Sequence, residues 1–144
     1  MKKSLTIFII FLTLTCFGQS DIILTNMGTN LVDIIPNNWR LLDSAIGDLN
    51  QDGISDLIFA IQKTDRNNTE LNDGLGTDTL DLNPRMLAIY FGTESGGFKK
   101  QLVSEYFIIL RDSPTMDEPF EGFNISKKGI LDVNFRFWHK LWHK

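Results

Sequence analysis

The sequence has few of the side chains on which most enzyme active sites depend. Its 144 residues include one cysteine, Cys16, and two histidines, His139 and His143. One cysteine cannot form a disulfide within the chain, so stability has to come from a hydrophobic core and from any bound ion. With one cysteine and two histidines, the chain has few of the residues that Ser-His or Cys-His catalysis needs. The histidines are four apart, as in a zinc pair on a helix, but no Glu follows His139 as in an HExxH motif, and we expect a solvated tail.

Basic charge and long apolar runs are also scarce. The formal net charge is -4 at pH 7, and the excess of basic residues that marks a nucleic-acid-binding domain is absent. The apolar run over residues 5–14 is too short to span a bilayer comfortably. The sequence therefore predicts neither nucleic-acid binding nor a transmembrane segment.

Residues 1–18 have the three parts of a secretory signal peptide. Two lysines come first, the apolar run over residues 5–14 follows, and small residues such as Gly18 end the segment. We expect cleavage after Gly18, which leaves a single mature domain over residues 19–144 without any cysteine. The sequence thus predicts a secreted or periplasmic protein.

Cys16 allows a different interpretation of the same segment. A lipobox places a cysteine at this distance from the start, and the mature protein would then be an outer-membrane lipoprotein anchored at Cys16. The residue before a lipobox cysteine is usually Gly or Ala, whereas in this sequence it is Thr15. Thr15 therefore favours the cleaved, unanchored protein over the lipoprotein.

The main motif is an acidic loop between two apolar stretches, AIGDLNQDGISDLIFAI, over residues 45–61. Asp48, Asn50, Asp52 and Asp56 occupy its relative positions 1, 3, 5 and 9, and Gly53 occupies position 6. Short oxygen-bearing side chains at alternating positions can point at one centre, and the glycine permits a reversal of the chain. Hard oxygen ligands in this number suit Ca²⁺ better than a transition metal. An ion-free tight turn with solvated acids is the alternative.

The residues after the turn exclude an EF-hand. An EF-hand has a bidentate Glu at position 12, where this sequence has Phe59. The flanking DLIFAI is rich in β-branched and aromatic residues and is short, as in a strand. The loop is therefore predicted to join two strands, with the backbone carbonyl of Ile54 as a further ligand and Asp56 as the closing carboxylate.

The pattern G-D-L-N-x-D-G-x-x-D-L-I resembles the FG-GAP or VCBS-type repeat of integrin α-chain propellers and of many secreted bacterial proteins. This resemblance implies that Asp48, Asn50, Asp52, Asp56 and the Ile54 carbonyl bind Ca²⁺ between two strands of one blade. One repeat cannot close a propeller, which takes at least about four blades. A single blade-like sheet with additional strands packed on it is therefore expected.

The rest of the chain predicts further hairpins and thus an all-β, mostly antiparallel fold. Strands are expected at residues 39–46, 86–91 and from Phe98 onward, and a C-terminal hairpin at residues 120–126 and 130–137. In the first of these, Trp39 and Leu41 are candidates for the core. Residues 21–35 are expected to form a strand or an extended arm, since their apolar clusters are too short for helices.

A polar stretch over residues 62–85 interrupts this pattern. Its acids Asp73, Asp78 and Asp81 suggest a second ion site, but their spacing matches no ligand template. We expect a mobile solvated loop, because long loops in compact domains are often functional or disordered. This loop or a sheet edge is the expected contact for a protein or glycan partner.

The stretch DSPTMDEPFEGFNISKKGIL, residues 112–131, is similar to the downstream part of small secreted flavobacterial proteins that begin with the same calcium loop. The resemblance implies no particular activity. Such relatives continue through further aromatic-rich strands, whereas this chain stops at FWHKLWHK. Truncation at the C-terminus is one interpretation of this difference, and we expect the hairpin edge, which no later strand covers, to associate with other copies.

Two function classes follow from these observations. The first is a secreted, calcium-binding β module that acts in binding or structural support. The second is a small extracytoplasmic hydrolase in which calcium has a supporting role. Acids are abundant enough for paired-carboxylate chemistry, but outside the calcium loop no sequence pattern positions such a pair. The binding module is therefore the favoured interpretation.

Overall fold

The computed structural model describes residues 24–137, and within this range the fold is all-β. The strands are β1 (Met27–Gly28), β2 (Trp39–Gly47), β3 (Asp56–Lys63), β4 (Thr69–Leu71), β5 (Thr79–Asp81), β6 (Arg85–Gly92), β7 (Phe98–Ser104), β8 (Phe120–Ile125) and β9 (Leu131–Phe135). One short α-helix, α1 (Leu31–Ile34), and one 3₁₀ helix (Arg66–Asn68) accompany them. The predicted signal peptide, Cys16 and both histidines lie outside the described residues.

Five of these strands form one antiparallel sheet in the order β1-β7-β6-β3-β2. The strands predicted at residues 39–46, 86–91 and from Phe98 onward are confirmed as β2, β6 and β7. The predicted C-terminal hairpin is confirmed as the antiparallel pair β8-β9. A second two-stranded sheet consists of β4 and β5.

Strand β3 lies in the interior of the five-stranded sheet and is buried on both faces. Leu57, Phe59 and Ile61 belong to one hydrophobic cluster, while Ile58 and Ala60 belong to another. Successive side chains of a strand point to opposite faces, so the continuous apolar run of β3 supplies a core on each side. Burial on both faces explains why this strand shows no alternation of polar and apolar residues.

Each face of the sheet has its own cover. The cluster with Phe59 includes Leu24, Ile34 and Trp39 from the N-terminal part of the described chain. The cluster with Ile58 includes Phe120 and partly buried side chains of the β8-β9 hairpin. The hairpin thus packs across one face of the sheet rather than extending it.

Polar contacts fix the hairpin against β2. The carboxylate of Asp43, next to a β-bulge in β2, accepts a hydrogen bond from the backbone N–H of Phe123 at 2.7 Å. Gly122 precedes this residue with φ +130, and a Cβ there would lie 2.5 Å from Asp43 Oδ2. Glycine is favoured at this position, because the backbone has a positive φ and a side chain would displace the Asp43 carboxylate from its hydrogen bond.

The polar stretch over residues 62–85 is more ordered than the sequence suggested. Gln62 is buried within β3 and Arg85 within β6, and the segment between them contains the 3₁₀ helix and the β4-β5 pair. Buried Asn83 accounts for much of this order: its side chain accepts from Asp65 N–H at 3.0 Å and donates to the Asp65 carbonyl at 2.9 Å. The expectation of a mobile solvated loop is thus corrected: hydrogen bonds of Asn83 hold the segment, and residues 73–79 are exposed.

Two other local expectations are corrected by the structure. Trp39 is buried as expected, but Leu41 is 43% exposed on the edge strand β2. The N-terminal segment contains the helix α1, because the Asn30 side chain caps it by accepting from the Asp33 N–H at 3.1 Å. A one-turn helix stabilised by its cap has no hydrophobic periodicity by which the sequence could reveal it.

Candidate functional site

The acidic loop lies where the sequence predicted it, between the end of β2 at Gly47 and the start of β3 at Asp56. Its chain reversal uses two residues with positive φ, Gln51 at 62° and Gly53 at 87°. These dihedrals bring alternating side chains to the inside of the turn. The predicted strand-loop-strand arrangement is therefore confirmed, and helices flank neither end.

Three of the predicted ligands converge inside this turn. Asp48 Oδ1 and Asn50 Oδ1 both accept from the backbone N–H of Asp52, at 3.1 and 3.0 Å. The other Asp48 oxygen accepts from Gly53 N–H at 2.9 Å, and Asp52 Oδ1 accepts from Ile54 N–H at 2.8 Å. Side-chain oxygens from positions 1, 3 and 5 thus lie around one small region of backbone.

The Asn50 side chain also holds Asp52 in place. Its Nδ2 donates to Asp52 Oδ2 at 2.8 Å. Both oxygens of Asp52 are therefore engaged within the loop. The contact shows that side chains two positions apart reach each other across the turn, as ligands of one ion must.

Asp56 occupies a different position from the other acids. It is 0% exposed, its Oδ2 accepts from the N–H groups of Leu49 and Asn50 at 2.8 and 3.3 Å, and its Oδ1 accepts from Gly92 N–H at 2.9 Å. This buried carboxylate ties the start of the loop to the end of β6. A carboxylate has about four lone-pair sites, so three backbone bonds leave one for a further partner.

Within residues 24–137, His, Cys, Asp and Glu side chains form no group of three or more that is arranged to hold a metal ion. In the loop, the oxygens of Asp48, Asp52 and Asp56 all accept from backbone N–H groups. The donor set still fits the chemistry of Ca²⁺, because Asp48, Asn50 and Asp52 present hard oxygens from one turn. The Ile54 carbonyl follows directly at position 7.

The turn between β8 and β9 forms a second wall beside the loop. A Cβ at Gly129 would lie 2.6 Å from the Asp48 carbonyl oxygen, and Gln51 Nε2 donates to the Lys128 carbonyl at 3.4 Å. A cavity of about 640 Å³ that is open to solvent lies between them, lined by Asp48, Gln51, Lys127, Lys128, Gly129 and Ile130. Sequence reasoning missed this juxtaposition, because nothing local to either segment indicates that they meet.

The acids of the 62–85 segment do not form a second cluster. Asp73 and Asp78 are exposed, whereas Asp81 accepts from Asn83 Nδ2 at 2.7 Å and contacts Arg40 at 3.3 Å. Asp81 thus belongs to the polar network that pins the segment. The second ion site considered for these residues has no geometric support in the described chain.

A charged pair, Arg85 in β6 and Glu118 just before β8, lies on the face of the sheet that the β8-β9 hairpin covers. Arg85 is 5% exposed and donates from both Nη atoms to the two oxygens of Glu118, at 2.6 and 2.7 Å. Burial disfavours the charged carboxylate, but the hydrogen bonds and the charge of Arg85 outweigh it, so the pKa of Glu118 lies below its usual value. This pair holds the segment before β8 against β6 and is a structural contact.

The helices of the described chain are short, and none within residues 24–137 is long and apolar enough to cross a bilayer. The resemblance to the FG-GAP repeat rests on the loop residues alone and stays a prediction. Comparison of this chain with protein-family models, with curated proteins and with solved structures found no match in any of the three.

Proposed function

We propose that this protein is a calcium-binding β module that acts in binding or structural support outside the cytoplasm. The observation that supports this proposal is the convergence of Asp48 and Asn50 oxygens on the backbone of Asp52. Such a turn already has the curvature that a calcium loop needs. The loop is held by its own hydrogen bonds and has no flanking helices, as expected of a calcium loop between two strands.

In this proposal the side chains of Asp48, Asn50 and Asp52 hold Ca²⁺ together with the Ile54 carbonyl. Asp56 completes the set through its remaining lone pair while it keeps its backbone hydrogen bonds. Bound calcium would neutralise carboxylates that otherwise repel each other within one turn. The loop would then hold the ends of β2, β3 and β6 in one arrangement.

The cavity beside the loop supports binding rather than hydrolysis. Its lining contains a single acidic residue, Asp48, whereas glycoside hydrolysis uses two carboxyl groups that flank the scissile bond. Lys127, Lys128 and Gln51 provide hydrogen-bond donors instead. A site of this composition can hold a polar partner without acting on it.

Calcium binding is tested by calorimetry and by thermal unfolding in millimolar calcium and in excess chelator. At free calcium about a hundredfold above the dissociation constant, we expect a stabilisation of about 2.7 kcal/mol. Mg²⁺ should substitute poorly, because it requires a tighter octahedron and loses water reluctantly. Equal melting temperatures in calcium and chelator, without heat of binding, would show that the loop is only a turn.

Asp52→Ala supplies the matching variant, and Asp73→Ala the control. Asp52 is a central ligand whose removal leaves Gly53 in place, so the calcium-dependent rise in melting temperature should disappear. Asp73 is also an exposed aspartate followed by glycine, but it lies outside the loop. Its substitution should leave the calcium response unchanged.

Export is the second part of the proposal. The basic start, the apolar run and Gly18 support cleavage that leaves Gln19 as the first residue. Intact mass and N-terminal sequencing of the protein from its native host measure this directly. A lipidated Cys16 at the N-terminus would replace the unanchored protein with a lipoprotein.

A further inference from the structure

We infer that the cavity between the calcium loop and the β8-β9 turn binds a small anionic saccharide, through a carboxylate or sulfate group held by Lys127 and Lys128. The inference rests on the proposed function in one respect: calcium in the loop offsets the negative charge of Asp48, which lines the same cavity. Everything else in it depends on contacts and charges of the described residues.

The cavity is open to solvent and lies between two walls. The Lys127-Lys128-Gly129 turn is held against the loop by the approach of Gly129 to the Asp48 carbonyl and by the bond from Gln51 to the Lys128 carbonyl. Within the turn, Ser126 Oγ accepts from the N–H groups of Lys128 and Ile130 at 3.3 and 3.1 Å. The Gln51 side chain thus joins the two walls and the Ser126 side chain orders the turn, while the lysine side chains form no ion pair in the described part of the chain.

The charge of the cavity favours an anion. Lys127 and Lys128 are exposed, and neither takes part in an ion pair in the described part of the chain. Two neighbouring ammonium groups without partners attract an anion, and each has three N–H donors for its oxygens. The Asp48 carboxylate competes little for these ammonium groups, since its oxygens accept from the N–H groups of Asp52 and Gly53.

The size and polarity of the cavity favour a sugar. A volume of about 640 Å³ is far more than a lone inorganic anion needs and lies in the range of small-molecule sites. The only apolar side chain in the lining is that of Ile130, and Gln51 adds an amide. This polar lining suits a polyhydroxylated ring better than a peptide that binds through apolar anchors or an added strand.

The experiment is a titration of the full chain with galacturonate, galactose 6-sulfate and neutral galactose, followed by calorimetry and ligand-observed NMR. We expect at least one charged sugar to bind about tenfold more tightly than galactose, since charge is the main recognition element. Comparison of the affinities for galacturonate and galactose 6-sulfate identifies whether a carboxylate or a sulfate is preferred. Equal affinity for neutral galactose, or binding of an acidic peptide but of neither charged sugar, would overturn the inference.

The variant is K127Q/K128Q, and its control is R66Q/K99Q. Both remove two positive charges from exposed positions, but Arg66 and Lys99 do not line the cavity. We expect the first variant to lose charged-sugar affinity by about tenfold or more and the control to keep it. Equal losses in both would indicate non-specific attraction and overturn the inference.

Calcium separates this inference from the proposed function. We expect K127Q/K128Q to bind calcium as the unmodified protein does, because neither lysine is a ligand. If the unmodified protein binds calcium but binds no charged sugar, the inference fails and the proposed function stands. If charged sugars bind equally in calcium and in chelator, calcium does not offset the charge of Asp48 and that part of the inference is wrong.

Discussion

The Asp43 carboxylate in β2 joins the two layers of the fold, because it accepts a 2.7 Å hydrogen bond from the Phe123 N–H in β8. The bond connects residues that are 80 positions apart in the sequence. It also sits where both strands are irregular, since β2 has a register shift beside Asp43 and β8 has one beside Gly122. This bond therefore adds one specific polar contact to the apolar packing of the hairpin on the sheet.

Asp43→Ala should destabilise the protein. The substitution leaves the Phe123 N–H without its acceptor in a part-buried place, which costs about 1–3 kcal/mol. Asp43→Asn is the matched control, because its amide oxygen can still accept the bond and the loss should be smaller. Urea denaturation of the three proteins measures this order. Equal stability of all three would show that apolar packing alone docks the hairpin.

Gly129→Ala should disturb the loop as well as the turn. Gly129 has φ +72, and a Cβ there would lie 2.6 Å from the Asp48 carbonyl. Gly96→Ala is the control, since Gly96 has φ +86 but open space around the added carbon. The control isolates the backbone cost of about 1–2 kcal/mol. We expect a larger loss of stability for Gly129→Ala and, unlike the control, weaker calcium binding in calorimetry.

Asp56 and Asp52 should respond differently to removal of their carboxylates. Asp56→Ala leaves three backbone N–H groups without their acceptor in part-buried contacts, so a loss of about 3 kcal/mol is expected even in chelator. Asp52→Ala removes exposed contacts only, and its effect should appear mainly when calcium is present. Denaturation in chelator distinguishes the two. Equal stability of both variants there would contradict the anchoring role of Asp56.

Acid should weaken the contact between Glu118 and Arg85. Burial opposes the charge on Glu118, yet Arg85 holds the pKa of this carboxyl below its ordinary value of 4.5. A lowered pKa contributes stability above the ordinary value and loses it as the pH falls through the folded-state pKa. Glu118→Gln should therefore be less stable than the unmodified protein at pH 6, and the gap should narrow at pH 3.

Glu121→Gln is the control for this pH dependence. Glu121 forms an exposed ion pair with Arg136 at 2.6 Å, and surface pairs of this kind contribute little. We expect its stability to follow the unmodified protein at both pH values. A gap for Glu118→Gln that stays constant from pH 6 to pH 3 would contradict the ionic role of Glu118.

The sequence allowed the strands around the loop to be predicted, because local patterns determine them. The apolar run after Asp56 is short, β-branched and aromatic, and it forms the buried strand β3. The spacing of Asp48, Asn50 and Asp52 reflects the curvature of a single turn, which is also local. Features of this kind depend on neighbours within about ten residues, where periodicity and turn chemistry are informative.

The missed features depend on distant partners. The burial of Gln62 follows from its bond to the Asn83 carbonyl at 3.2 Å, and a polar residue gives no local sign of such a partner. The position of Asp56 was found, but not its three backbone bonds, which include Gly92 from another hairpin. The position of Lys127 and Lys128 beside the loop could not be predicted for the same reason, because it depends on where the β8-β9 hairpin packs on the sheet.

The bond from Gln51 to Lys128 spans 77 residues, so the two walls of the cavity should form at different stages of folding. Contacts between distant segments are costly in loop entropy and form late. The acidic loop can therefore form early, together with the β2-β3 hairpin that it connects. The second wall of the cavity forms only when the β8-β9 hairpin docks. If the loop binds calcium as proposed, calcium should accelerate folding by stabilising the early β2-β3 hairpin, whereas the cavity should form only when the last hairpin docks.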